Sequence, residues 1–169
     1  MLKIKKSNEL LWLFGIVFVA LGVTICSKAD LGVSMIAAPA FIVSEAALHL
    51  SSFFSVGVTE YIIQGFMLII MCLIVGRFNW RYLLAFAVAV LYGYTLDLFL
   101  WLFKDICFDT ALLRWVMLIV GDIITAFGVA CFFKTYMPLQ VYELFVAEIA
   151  DRFNITIARV KSAFDISLL

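Results

Sequence analysis

The chain has 169 residues, 66% of them hydrophobic and 14% charged, with a mean hydropathy of +1.16 and a formal net charge of +0. Soluble domains hold about 45–50% apolar and about 25% charged residues, so a single soluble core of this size cannot take up the excess. The neutral balance offers no basic field for nucleic acid, and the unbroken apolar runs lack the alternation of an outer-membrane barrel.

The expectation is therefore an all-α membrane protein, a polytopic helical bundle in the lipid bilayer. The basic start Met1-Leu2-Lys3-Ile4-Lys5-Lys6 leads into a first predicted span at about 10–27. Its apolar stretch is long for a signal peptide and no small-x-small cleavage site closes it, so it is read as structure. A polar break with Gly32 follows, then a short helix at about 35–50 with Pro39 and Glu45. A span at about 56–75 ends in the basic-aromatic loop Arg77-Phe78-Asn79-Trp80-Arg81, which suits a membrane interface. Further spans are predicted at about 82–103 and 111–133, joined by a short loop of mixed charge. Lys134-Thr135-Tyr136-Met137-Pro138 then opens a second short helix at about 139–153, with Pro138 placed as its first helical residue. A last apolar helix starts near Ile155 and continues to Leu169, short of the roughly 20 residues a span needs.

Part of this pattern is written twice. Gly15, Ala20, Gly22, Val23 and Lys28 recur at a constant offset as Gly121, Ala126, Gly128, Val129 and Lys134. The run from Phe54 to Gln64 aligns with that from Ile155 to Asp165. The expected organisation is a first repeat over 1–103 and a second, incomplete at its C-terminus, over 104–169. If the short helices are re-entrant or interfacial, Arg77, Arg81, Lys134, Arg152, Arg159 and Lys161 fall on the side of the N-terminal lysines, as the positive-inside rule asks. Three crossings per repeat would then invert the second repeat against the first, an arrangement with which many transporters build a midplane site. If the short helices cross fully, the repeats are parallel.

Ionisable groups inside spans are expensive, about 2.5–3.5 kcal/mol each on insertion scales, and need a reason. Glu60, Asp97, Asp122, Glu143, Lys161 and Asp165 are the candidates. Lys161 and Asp165 are four apart and so positioned to pair on one helix face. Glu60 and Gln64 hold the matching places in the first repeat, so two polar pairs are expected to face one cavity. Glu143 lies in the first turn of its short helix, where the helix dipole favours an acid, and is read as either helix-start chemistry or a cation or proton ligand. Asp97 fits snorkelling to an interface as well as a site. Gly15, Gly22, Gly121 and Gly128 suit close helix packing. Cys26, Cys72, Cys107 and Cys131 show no CxxC spacing, and His49 stands alone, so no metal, cofactor or catalytic constellation is predicted.

Leu31-Gly32-Val33-Ser34, Gly57-Val58-Thr59-Glu60-Tyr61, Tyr92-Gly93-Tyr94-Thr95-Leu96-Asp97, Val141-Tyr142-Glu143-Leu144-Phe145-Val146 and Arg159-Val160-Lys161-Ser162-Ala163-Phe164-Asp165 resemble the YczE/YitT-type bacterial membrane proteins. Met35 stands where that family often has proline, and the family's further C-terminal span is missing. The resemblance implies a bacterial inner-membrane protein with its N-terminus in the cytoplasm. The expected function is transport of a small polar solute, with Glu60, Gln64, Asp97, Tyr142, Glu143, Lys161 and Asp165 as substrate-binding residues. The rivals are a substrate-capture subunit with an energising partner and a non-transport scaffold or regulator. A homodimer would be one way to cover an incomplete repeat.

Overall fold

The computed structural model describes residues 2–48, 54–135 and 140–167. Among these it forms seven helices and no strand: α1 (Leu2–Ala29), α2 (Ala38–Leu48), α3 (Val56–Val75), α4 (Trp80–Leu102), α5 (Ala111–Phe133), α6 (Val141–Phe153) and α7 (Ile157–Ser167). Four of them, Glu9–Ala29 of α1, α3, α4 and Ala111–Phe132 of α5, are long and apolar enough to cross a membrane. The chain is an all-α membrane protein. The 11 residues of α2 rise about 16 Å, roughly half of a hydrocarbon core of about 30 Å. Pro39 sits in its first turn, where the missing N–H breaks no helical bond.

The boundaries largely follow local chemistry. Ser55 caps α3 by accepting a 3.2 Å hydrogen bond from the Val58 amide, and Gly76 ends the helix in the left-handed region at φ 69°. Asn79 Oδ1 accepts from the Arg81 amide at 3.2 Å and so tightens the entry to α4. The second short helix begins at Val141, and the expected role of Pro138 lies outside the described residues. The last helix, α7, has 11 residues and no buried side chain; it is too short to count among the spanning helices, and Arg159, Lys161 and Asp165 interrupt its apolar positions. Asn154 ends α6 with φ 53°, a conformation that glycine adopts without strain. Asn154→Gly is expected to leave the melting temperature unchanged or raise it slightly, whereas Asn154→Val lowers it by roughly 1 kcal/mol of stability.

The compact units do not follow the two sequence halves. One unit combines Met1–Ser34 with Tyr94–Met137, and the other combines Met35–Gly93 with Pro138–Leu169. Each thus joins segments from both halves, and α4 contributes to both.

In the first unit α1 and α5 pack antiparallel on the repeated glycines themselves. A Cβ on Gly15 would lie 3.1 Å from the Gly128 carbonyl oxygen, and one on Gly22 would lie 2.6 Å from that of Gly121. Seven residues forward on α1 match seven residues back on α5, so the two helices meet backbone to backbone over two turns. Phe18 packs edge-on against Phe127 at 5.3 Å. The Cys26 thiol lies 3.6 Å from Asp122 Oδ1 and 3.7 Å from the Leu118 carbonyl, giving the Asp122 carboxylate a local polar contact. At one end Arg114 pairs with Asp30 at 3.2 Å and donates to the Phe108 carbonyl at 2.7 Å.

In the second unit α3 and α4 run antiparallel, with Gly57 against Gly93 at one end and Met71 and Val75 against Tyr82 at the other. The amphipathic face of α6 (Val141, Tyr142, Val146 and Ala150) is buried, and Val141 packs into a cluster with Ala85 and Ala89. Leu144 and Phe145 lie against the Met71–Val75–Tyr82 cluster. Phe164 joins α7 to α6, with ring centroids 5.5 Å from Phe145 and 6.3 Å from Tyr142.

Candidate functional site

The polar residues of the second unit converge where α3 and α6 begin. Glu60 lies in the second turn of α3, and Gln64 one turn further on the same face. Gln64 Nε2 donates to Glu60 Oε1 at 3.1 Å. Both side chains are sealed from solvent, Glu60 at 2% exposed and Gln64 at 0%. Gln140 stands at the N-cap of α6, and Tyr142 and Glu143 follow in its first turn. Tyr142 is 3% exposed and stands beside Glu60. Tyr92 on α4, also 3% exposed, stands within electrostatic reach of Glu60 and Glu143. The close crossing of α3 and α4 at Gly57 and Gly93 is what brings Tyr92 level with Glu60. Tyr92 is the thirteenth of the 23 residues of α4, whereas Glu60 is the fifth of the 20 of α3, so the cluster lies beside the middle of one long helix and near the start of the other.

This cluster is underconnected. Glu60 Oε2, Gln64 Oε1, Gln140 Nε2, Tyr142 Oη and Glu143 Oε2 are buried without a hydrogen-bond partner. Buried polar atoms are nearly always satisfied, and each exception calls for an explanation. Four of the five are oxygens, three of them carried by Glu60, Glu143 and the Gln64 amide, which accept and do not donate when the acids are ionised. The two carboxylates are close enough to repel, and Glu143 feels the positive charge of Lys161 on α7, an exposed side chain. The first turns of α3 and α6 add the partial positive charge of helix N-termini, which eases but does not neutralise two acids.

Four of the seven expected residues, Glu60, Gln64, Tyr142 and Glu143, come together. Lys161 and Asp165 do not form the expected pair. Among the described residues the ion pair is Arg114–Asp30 alone, Lys161 is exposed and Asp165 half-buried. Lys161 lies in water, where an ion pair gains little over solvation and side-chain freedom, while Phe164 holds α7 to α6 by its ring. The polar pair of the first repeat is thus buried and bonded, while its counterpart in the second is not. Asp97 belongs to the other compact unit and is half-buried there. Tyr92 and Gln140 escaped the sequence reading. A tyrosine amid apolar residues still carries a hydroxyl that needs a partner, and that was the one available signal for Tyr92. Among the described residues no group of three histidine, cysteine, aspartate or glutamate side chains is placed to hold a metal ion.

Fold and cluster together define a polytopic helical membrane protein with an acidic polar cluster enclosed among its helices. The chain belongs to the family of unknown function DUF6198, whose pattern matches residues 6–169. No curated protein and no solved structure matches the chain.

Proposed function

We propose that this protein is a small-solute transporter of the bacterial inner membrane, with the Glu60–Gln64–Tyr92–Tyr142–Glu143 cluster as its binding site. The observation that carries the reading is the set of polar atoms without a closed hydrogen bond buried among α3, α4 and α6. A structural polar network would be closed on itself, since a half-satisfied one is less stable than an apolar core. Two helix starts, those of α3 and α6, lie beside the cluster, where their free backbone N–H groups add partial positive charge. The antiparallel course of α1 and α5 supports inverted repeats: α3 and α4 cross between them, so α5 opposes α1 only if the short α2 does not cross. In this reading the N-terminus is cytoplasmic, and kinship with the YczE/YitT-type proteins is part of the proposal.

The test is the melting temperature of the purified full-length chain in detergent against small solutes and ions. A ligand that binds only the folded state raises stability by mass action, by about 2.7 kcal/mol at a hundredfold its Kd. A solute-specific rise that Glu143→Gln abolishes, followed by uptake of that solute into liposomes, is the expected result. Lys161→Met, on an exposed position, should retain most of the rise. A flat response to every solute would remove the transport reading and favour a scaffold or a subunit dependent on a partner.

A further inference from the structure

The unpartnered atoms also say what class of ligand the cluster takes. We infer that the Glu60–Glu143 pair, with Gln64 and Tyr142, forms a binding site for one exchangeable monovalent cation, for which protons compete. The inference deepens the proposed function and rests on the cluster being the working site, but it concerns the ion and not the solute.

Three observations carry it. Glu60 Oε2 and Glu143 Oε2 are both buried without a closed hydrogen bond, the Tyr142 hydroxyl stands beside Glu60, and the two carboxylates lie near enough to repel each other. Two neighbouring acids in such a place do not both remain ionised without a positive charge between them. Gln64, at 0% exposure, adds an oxygen without a partner, and Tyr142, at 3%, adds a hydroxyl that stands beside Glu60, so the ligand set is oxygen-rich and hard. Such oxygens suit an alkali or ammonium ion as well as a proton, and one monovalent charge relieves the repulsion of the two carboxylates.

The surroundings admit one added positive charge and no more. From α3, Glu60 and Gln64 face the site. From α4 it is Tyr92, and from α6 Tyr142 and Glu143. From α7 the exposed Lys161 supplies a distant positive charge felt by Glu143, while Glu45 of α2 is exposed. With both acids ionised, Lys161 and the helix starts offset part of the charge. One bound cation, or one proton shared between the acids, closes the remainder. An anionic solute would meet the two carboxylates head-on, so a co-transported anion is excluded from this position while a cationic or zwitterionic one is not.

The experiment measures the melting temperature of the full chain in detergent, without any solute. Sodium, potassium and ammonium chloride are compared with N-methylglucamine chloride at equal ionic strength, at pH 6 and pH 8. A metal or ammonium ion in the site raises the melting temperature saturably, by roughly 5 °C, at pH 8. The rise shrinks at pH 6 and disappears in Glu60→Gln and Glu143→Gln. A melting temperature that rises in N-methylglucamine from pH 8 to pH 6 with no cation preferred would make the proton the sole occupant and overturn the cation site. Tyr142→Phe removes one ligand oxygen and keeps the ring packing, so it weakens the response several-fold in half-saturating concentration even if the glutamine variants do not fold. Glu148→Gln, on the same helix but outside the cluster, leaves the response intact. Responses that are absent, or that persist unchanged in Glu60→Gln, Glu143→Gln and Tyr142→Phe, overturn the inference. A cation response without any solute effect would keep the ion site and remove transport, so the two readings fail separately.

Discussion

Gly22→Ala is expected to be the most damaging single-methyl change in the chain. The new Cβ would collide with the Thr125 hydroxyl and lie 2.6 Å from the Gly121 carbonyl oxygen and 2.7 Å from the Thr125 amide nitrogen. Two of these three atoms are backbone, so no rotamer change relieves the contact and the helices must separate. Overpacking of this kind costs about 1–3 kcal/mol, and the rigid neighbours place Gly22 at about 3 kcal/mol. Separation would also open the Gly15–Gly128 contact one register away, because the two glycine pairs lie along the same antiparallel seam. Gly65→Ala is the control: its Cβ would meet the Phe86 ring at 3.2 Å, a side chain free to tilt, and the expected loss is below about 1 kcal/mol. Thermal melts of both variants in detergent decide the matter. Equal losses would mean that the α1–α5 seam is no tighter than an ordinary contact.

The second large effect lies in the polar cluster. Gln64→Leu removes the 3.1 Å hydrogen bond to Glu60 Oε1 and leaves the acid with a second deserted oxygen. Deserting a buried polar partner costs about 1–3 kcal/mol, and more while the acid stays ionised. Removing both partners is different. Glu60→Met with Gln64→Leu replaces the pair with apolar groups of similar length, and the double variant is expected to return to the wild-type melting temperature or exceed it. The coupling between the two positions should then be about 1–3 kcal/mol and opposite in sign to the single losses. The same double variant should lose every solute and cation response. More stable and inactive is the signature of a site that holds strain for function. Additive losses would instead make Glu60 and Gln64 independent packing residues.

Much of this cluster was legible locally. The four-residue spacing of Glu60 and Gln64 places both on one helix face, and the hydrogen bond between them follows from that spacing. Glu143 stands in the first turn of α6, as its position just after the polar opening of the short helix suggests. The same rule misled at Lys161 and Asp165, whose spacing is equally good. Spacing says which residues share a face but not whether that face is turned inward, and Lys161 is exposed. Tyr92 was hidden because a tyrosine in a span serves an interfacial belt as readily as a buried site. Its place level with Glu60 becomes evident only when Gly93 is seen against Gly57.

The sequence by itself determined the class of the protein, the four spanning helices and their approximate ends. These depend on runs of apolar residues, on glycine and serine caps, and on the length of a bilayer, all of which are local quantities. It also showed that Gly15 and Gly22 have counterparts in Gly121 and Gly128. Only the tertiary structure decided that these counterparts face one another, antiparallel, and that the compact units draw on both halves of the chain. It alone decided that Glu60, Tyr92, Tyr142 and Glu143 stand together. Residues so far apart along the chain share no period and no turn, and their meeting depends on which helix surfaces approach most closely, a property of packing and not of any single segment.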